Sequence, residues 1–194
     1  KGPGVVHSGS TKVTFEKDIQ LWMERMADRG WTVPAWPKEY GGGGLTVEQT
    51  RVLFEEMNEI GARPPLINMG TRMFGPTLLE FGTEEQKRRF LPGCASGATI
   101  LGIAMTEPGA GSDVAGIKTR GRREGDHYII QGAKLFITSG KRAHFFTTLV
   151  RTSDDPHAGL TFFVIDANLE GVRVSAPLHK TGWRASDTVE VEFD

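Results

Sequence analysis

The rhythm of apolar and polar positions changes near the middle of the chain. Phe15, Ile19, Trp22 and Met26 fall at i, i+4, i+7 and i+11, one face of a helix, and Gly30 is placed to end it. Residues 31–45 carry Pro34, Pro37 and a run of glycines, and read as an irregular connection. Thr46-Val47-Glu48-Gln49 then has the form of a capping box, opening a helix through Val52, Leu53 and Met57 to Ile60, with Gly61 beyond it. Pro64-Pro65 breaks the chain; residues 66–74 and 77–81 are short helical candidates. Thr83-Glu84-Glu85-Gln86 is a second capping box, with Lys87-Arg88-Arg89 expected in the last turn of its helix, where positive charge suits the dipole. Past residues 92–97 the period shortens to that of strands: 99–105, 116–122, 127–131, 134–137, 144–150, 160–165, 172–176 and 189–193. The pattern predicts an α+β chain, with an all-helical domain over residues 1–97. A domain of short, antiparallel-looking strands, a β-barrel or sandwich, follows over 98–194.

Composition sharpens this picture in a few places. Glycine supplies 25 of 194 residues, roughly twice its ordinary share, and clusters at turns without a period, so no repeat or low-complexity architecture is implied. The net charge of −1 is mixed along the chain; no basic stripe argues for nucleic acid. No apolar run approaches the ~20 residues that span a bilayer. One cysteine, Cys94, rules out an internal disulfide framework and suits a reducing compartment. With no histidine beside it, it reads as a structural thiol. His7, His127, His144, His157 and His179 show no metal-ligand spacing.

The stretch most concentrated in chemistry is Ala104-Met105-Thr106-Glu107-Pro108-Gly109-Ala110-Gly111-Ser112-Asp113. It leaves a buried strand and becomes a loop whose glycines admit a ligand to the backbone N–H groups. Thr106 and Ser112 add hydroxyls at the same mouth. On glycine chemistry alone, a ligand cradle and a tight structural turn are equally good readings. A G-x-G-x-x-G fingerprint is excluded because Val114 stands at its third glycine. A phosphate-binding G-x-x-x-x-G-K-[ST] loop is excluded because Leu135 and Arg142 occupy required positions. The glycines at 41–44 read as a structural turn, since no Lys-Ser/Thr follows them and no acidic ribose partner is apparent.

A second block, Gln131-Gly132-Ala133-Lys134-Leu135-Phe136-Ile137-Thr138-Ser139-Gly140, follows the turn Glu124-Gly125-Asp126-His127. Together the two blocks resemble the acyl-CoA dehydrogenase family, with its T-E-P-x-A-G-S-D and x-G-x-K-x-[WF]-I-T-[NS]-G segments. Pro37-Lys38-Glu39-Tyr40-Gly41-Gly42, Phe81-Gly82-Thr83-Glu84-Glu85-Gln86-Lys87 with Phe90-Leu91-Pro92, and Gly182-Trp183-Arg184-Ala185-Ser186-Asp187-Thr188 are similar to three further segments of that family, in the same order.

The resemblance implies FAD as cofactor and α,β-dehydrogenation of an acyl-CoA thioester to the trans-2-enoyl-CoA, with electrons passed to an electron-transfer flavoprotein. Met105 and Thr106 would lie against the pyrimidine side of the flavin. Gly111 and Ser112 would meet the pyrophosphate, with Ser112 also near the substrate's pantetheine arm. Phe136, where many relatives have Trp, would cover the ring face, and Thr138 would hydrogen-bond at N5. The family pattern places Glu107 and Asp113 in the loop framework; Arg184 and Asp187, for their part, read as a brace at the end of the β domain rather than as substrate ligands. The family's catalytic Glu comes from a C-terminal four-helix domain absent from this chain, so the isolated chain is expected to be inactive. A homo-oligomer, dimer or tetramer, is implied, in the cytoplasm of a bacterium or the mitochondrial matrix of a eukaryote. Two alternatives share the motifs: a flavin-dependent oxidase or monooxygenase on the same scaffold, and a non-catalytic subunit of a heteromeric complex.

Overall fold

The computed structural model describes residues 6–7, 16–155 and 158–194; Phe15 and His157 lie outside them. The chain divides into two compact units, Lys1–Ile100 and Leu101–Asp194.

In the first unit, helix α1 (Lys17–Asp28) and helix α2 (Val47–Glu59) present the faces expected from their periodicity. Met26 and Met57 are buried together with Ala62, and Trp22, Trp31 and Leu53 close around them. Both helices stop in the same way. Gly30 and Gly61 adopt φ of 69°, and the following N–H groups, of Trp31 and Ala62, donate to Met26 O and Met57 O at 2.8 and 2.7 Å, the paired bonds of a Schellman ending. The Thr46 box is formed in full, with Thr46 Oγ1 accepting from the Gln49 N–H and Gln49 Oε1 from the Thr46 N–H.

Two expectations fail here. Residues 66–74 do not begin as a helix. Strand β2 (Leu66–Ile67) pairs in parallel with β1 (Val6–His7), and only at Asn68, whose Oδ1 accepts from the Thr71 N–H at 2.9 Å, does helical backbone start. It passes through a wide π turn, Gly70–Phe74, into α3 (Gly75–Phe81). Nor does the last helix of this unit end near Pro92. Helix α4 (Glu84–Ser96) runs through the proline to a left-handed Gly97, so Lys87–Arg89 lie in its first half, not its last turn. A proline there removes one N–H donor, while Leu91 and Cys94 beside it are fully buried. Burial pushes the Cys94 thiol up to about 12, in keeping with a structural role.

The second unit is a curled seven-stranded sheet in the order β3 (Leu101–Ala104), β6 (Phe145–Arg151), β4 (Arg120–Glu124), β5 (His127–Thr138), β9 (Thr188–Phe193), β8 (Val172–Val174). Strand β7 (Leu160–Asp166) lies along β6. It is mixed rather than antiparallel, because β6 runs parallel to both β3 and β4. The curl brings Ala104 of β3, Ile137 of β5, Phe146 of β6 and Val189, Val191 and Phe193 of β9 into one core. The strands expected at 127–131 and 134–137 are a single strand. Gly132 is not a turn between them; a Cβ there would stand 2.7 Å from Thr119 Cα, so the glycine admits a close backbone neighbour.

Candidate functional site

Beyond Ala104 the chain leaves β3 but stays attached to β5, through the Leu135 N–H donating to Thr106 O at 2.8 Å. Glu107-Pro108-Gly109-Ala110 then folds back on itself: Glu107 and Ala110 exchange backbone hydrogen bonds of 2.8 and 3.2 Å, with Pro108 where its fixed φ suits the turn. Met105 turns its side chain inward, onto the cluster of Ala110, Ile117 and Leu149.

An ion pair lies beneath this loop. The Glu107 carboxylate accepts from the Lys118 N–H at 2.7 Å, the Thr119 N–H at 2.9 Å and Lys134 Nζ at 2.9 Å. Lys134, fully buried, donates a second bond to Met105 O at 3.1 Å. Burial pushes the Glu107 carboxyl up, but the bonds from Thr119, Lys118 and Lys134 outweigh it and hold the group below the usual carboxylate range. Burial pushes the Lys134 ammonium below its ordinary value, and Glu107 offsets only part of that. With its oxygens engaged, Glu107 is a framework anion and not a base.

Strand β5 changes register here. Between Lys134 and Ile137 it carries one residue more than the facing stretch of β9, a bulge. Phe136, in the bulge, has φ of 62° and is 61% exposed. A bulky residue held at positive φ is strained by about 1–3 kcal/mol, and here the strained residue presents an aromatic ring to solvent, one position past the Leu135 N–H that bonds Thr106 O. Thr138, half-buried, closes the strand opposite Thr188. The turn after it is pinned. Ser139 takes φ of 65°, a Cβ on Gly140 would meet Val189 Cγ2 at 2.2 Å, and the Lys141 N–H donates to buried Asp187 at 2.9 Å.

Of the residues picked from sequence, Thr106 is tied to the strand that carries Phe136 by the bond from the neighbouring Leu135 N–H, while the Met105 side chain is turned inward; Gly111 lies beside Thr106, since a Cβ on it would sit 3.8 Å from Thr106 Cγ2. Ser112 is exposed further along the loop, and among the described residues no hydrogen bond ties it to β5. Nothing among them accepts from the Thr106 N–H or hydroxyl. Asp187 is the brace expected; Arg184 instead stays exposed, donating to Lys180 O at 3.3 Å.

Sequence reasoning missed Lys134 and Arg151 as supports. Arg151 donates to Ile117 O, Ala115 O and Asp155 O at 3.0, 2.7 and 2.8 Å, clamping the short helical turn that follows the loop. Neither has a local signal, since their partners in the loop and in that turn lie 27 to 36 positions away along the chain. Among the described residues no cluster of His, Cys, Asp or Glu could hold a metal, and no helix is long and apolar enough to cross a membrane. A mostly apolar cavity of about 380 Å³ in this unit is walled by Tyr128, Ile130, Phe163, Val172 and Phe193, away from the loop. The loop's free donors make it the better candidate.

Comparison with known proteins places the chain in a family. Residues 6–98 match the model of the acyl-CoA dehydrogenase N-terminal domain and residues 102–194 that of the middle domain. The chain is 33% identical to acyl-CoA dehydrogenase IpdE1 of Mycobacterium tuberculosis, over 100% of this chain and 49% of that protein. A crystal structure of an acyl-CoA dehydrogenase from Geobacillus kaustophilus superposes with a TM-score of 0.73 at 34% identity, covering 90% of this chain and 47% of that one. A prolyl acyl carrier protein oxidase, AnaB, superposes with a TM-score of 0.68 at 30% identity, over 91% of this chain and 48% of its own. The chain thus spans about half the length of the relatives it matches. On these matches and this loop, the chain belongs to the acyl-CoA dehydrogenase family.

Proposed function

We propose that this chain forms the flavin-facing part of an FAD-dependent acyl-CoA dehydrogenase, which oxidises an acyl thioester to its trans-2-enoyl product and passes the electrons to an electron-transfer flavoprotein. The observation that carries this reading is the pairing of unfilled Thr106 donors with an exposed, strained Phe136 across a single backbone hydrogen bond.

These residues fit an isoalloxazine and its diphosphate on chemical grounds. Neutral donors at Thr106 suit a carbonyl-rich heterocyclic edge, and an aromatic ring held off the surface suits a flat partner. The open surroundings of Gly109 and Gly111 leave backbone N–H groups accessible to phosphate oxygens. When bound, FAD supplies a hydride acceptor that no side chain provides. The chain's own contributions are then positional. Met105 anchors the loop, Thr106 holds the heterocycle edge and Phe136 covers a face. Gly111 and Ser112 hold the diphosphate, Ser112 also meets the substrate arm, and Thr138 offers a hydroxyl near the reacting nitrogen. With Glu107 locked in its ion pair, the α-proton would pass to a carboxylate outside these residues.

The test is the anaerobic visible spectrum of the full gene product before and after a panel of acyl-CoA thioesters. A flavin band that bleaches with one thioester, and recovers on adding electron-transfer flavoprotein, supports the reading; a flavin band indifferent to every thioester removes it. The likeness to AnaB favours a second reading, in which oxygen takes the electrons. Hydrogen peroxide released in step with product in air would select it.

A further inference from the structure

We infer that Lys134 is a positioning residue that sets the donor strength of the Thr106 N–H toward the flavin; this rests on the flavin reading above. The Lys134 ammonium donates to Met105 O, and that carbonyl shares its peptide unit with the Thr106 N–H. A cation on the oxygen of a peptide draws electron density from its nitrogen and makes the N–H a better donor, as hydrogen bonds in chains polarise one another. The cation is fully buried, so water does not screen it.

The arrangement is directional. Glu107 balances the charge, but its carboxylate is turned toward the Lys118 and Thr119 N–H groups, whereas the ammonium caps the carbonyl whose peptide partner is the Thr106 N–H. A buried ion pair is a poor way to gain stability, since an apolar pair of the same volume does as well or better. Polarising a ligand-facing peptide is a task an apolar pair cannot perform. Negative charge gathers on the flavin edge when the ring is reduced, so a stronger Thr106 donor favours the reduced form over the oxidised one.

The experiment is spectroelectrochemistry of the FAD-loaded full gene product, with difference infrared spectra of the flavin carbonyls. The variants are Glu107→Gln/Lys134→Met, which removes both charges and keeps an acceptor for the Lys118 and Thr119 N–H groups, and Glu107→Gln alone, which leaves the cation without its counterion. The double variant is expected to shift the oxidised-to-reduced equilibrium about tenfold toward oxidised, about 30 mV for a two-electron couple, with a flavin carbonyl stretch moved to higher frequency. Measured at a pH low enough to keep the Lys134 ammonium charged without its counterion, the single variant moves both readouts the opposite way. A merely structural pair would change how much flavin is retained and the melting temperature, leaving the potential of the loaded fraction alone. Oxidised-to-reduced equilibria within twofold of native in both variants, or in whichever one folds and loads, overturn the inference. Failure of the unmodified protein to take up FAD instead overturns the flavin reading, and this inference with it.

Discussion

Two glycine-rich loops look alike in this sequence and do opposite things. In the helical unit, Gly41–Gly44 are packed against their own surroundings. A Cβ on Gly42 would lie 2.1 Å from Trp36 O, one on Gly43 would lie 2.9 Å from Pro34 O, and one on Gly30 would strike the Gly42 carbonyl at 2.3 Å. In the β unit, a Cβ on Gly109 would meet nothing within 4 Å and one on Gly111 only Thr106 Cγ2. The first loop needs its glycines because chain crosses chain there. The second does not need them for folding. It is held from below by Lys134–Glu107 and from beyond by Arg151, and its glycines stay open to solvent. Glycines crowded by the protein's own backbone mark a structural turn; Gly109 and Gly111, which are neither crowded nor held at positive φ, leave room for a ligand.

Removing the support from beneath the second loop should have the largest effect. Lys134→Met leaves the Glu107 carboxylate buried without its counterion, which costs about 3–5 kcal/mol. Adding Glu107→Gln should recover most of that, as followed by urea unfolding. If the single and double variants are equally unstable, the loop is not anchored by the pair. Next comes Gly42→Ala. Its new Cβ collides with a backbone oxygen that cannot swing aside, so we expect a loss of about 3 kcal/mol. A Gly42→Ala protein as stable as the parent would erase the contrast between the loops.

What could be read in advance follows the range of the forces. Capping boxes at Thr46 and Thr83, the glycine endings of α1 and α2 and the Gly125-Asp126 hairpin turn are local, and the residue types declare them. The family likeness pointed to Thr106, Gly111 and Phe136. It did not reveal how they are held. The Lys134–Glu107 pair joins residues separated by 27 positions, and the bulge at Phe136 exists only because β9 is its partner. A proline at 92 and a glycine at 132 point locally to a stop and a turn, yet α4 runs through the one and Thr119 crowds the other. In each case a tertiary neighbour decided.

Acid tests the anchoring more gently. The Glu107 carboxyl sits below its ordinary 4.5 in the folded chain. Its contribution to stability is therefore whole above that value and is lost as pH falls through the lower, folded one. Melting temperature plotted from about pH 6 to pH 3 should fall, and the fall should be shallower in Glu107→Gln/Lys134→Met. Parallel curves would mean that other carboxylates carry the acid limb.

Gly111→Ala should have the smallest effect on stability and the most informative one. The glycine is exposed, its φ lies outside the left-handed region, and the added methyl would sit at ordinary contact distance from Thr106 Cγ2. Nothing in the fold opposes it, so the stability change should stay within about 0.5 kcal/mol. A ligand brought against that backbone would meet the methyl, so flavin retention on gel filtration should drop while the melting temperature of the flavin-free protein holds. A melting temperature lowered as far as by Gly42→Ala would make both loops structural turns. Unchanged flavin retention would leave Gly111 a turn residue and move the diphosphate elsewhere on the loop. Only the split result, stable but poorly loaded, is what an open glycine facing a ligand must produce.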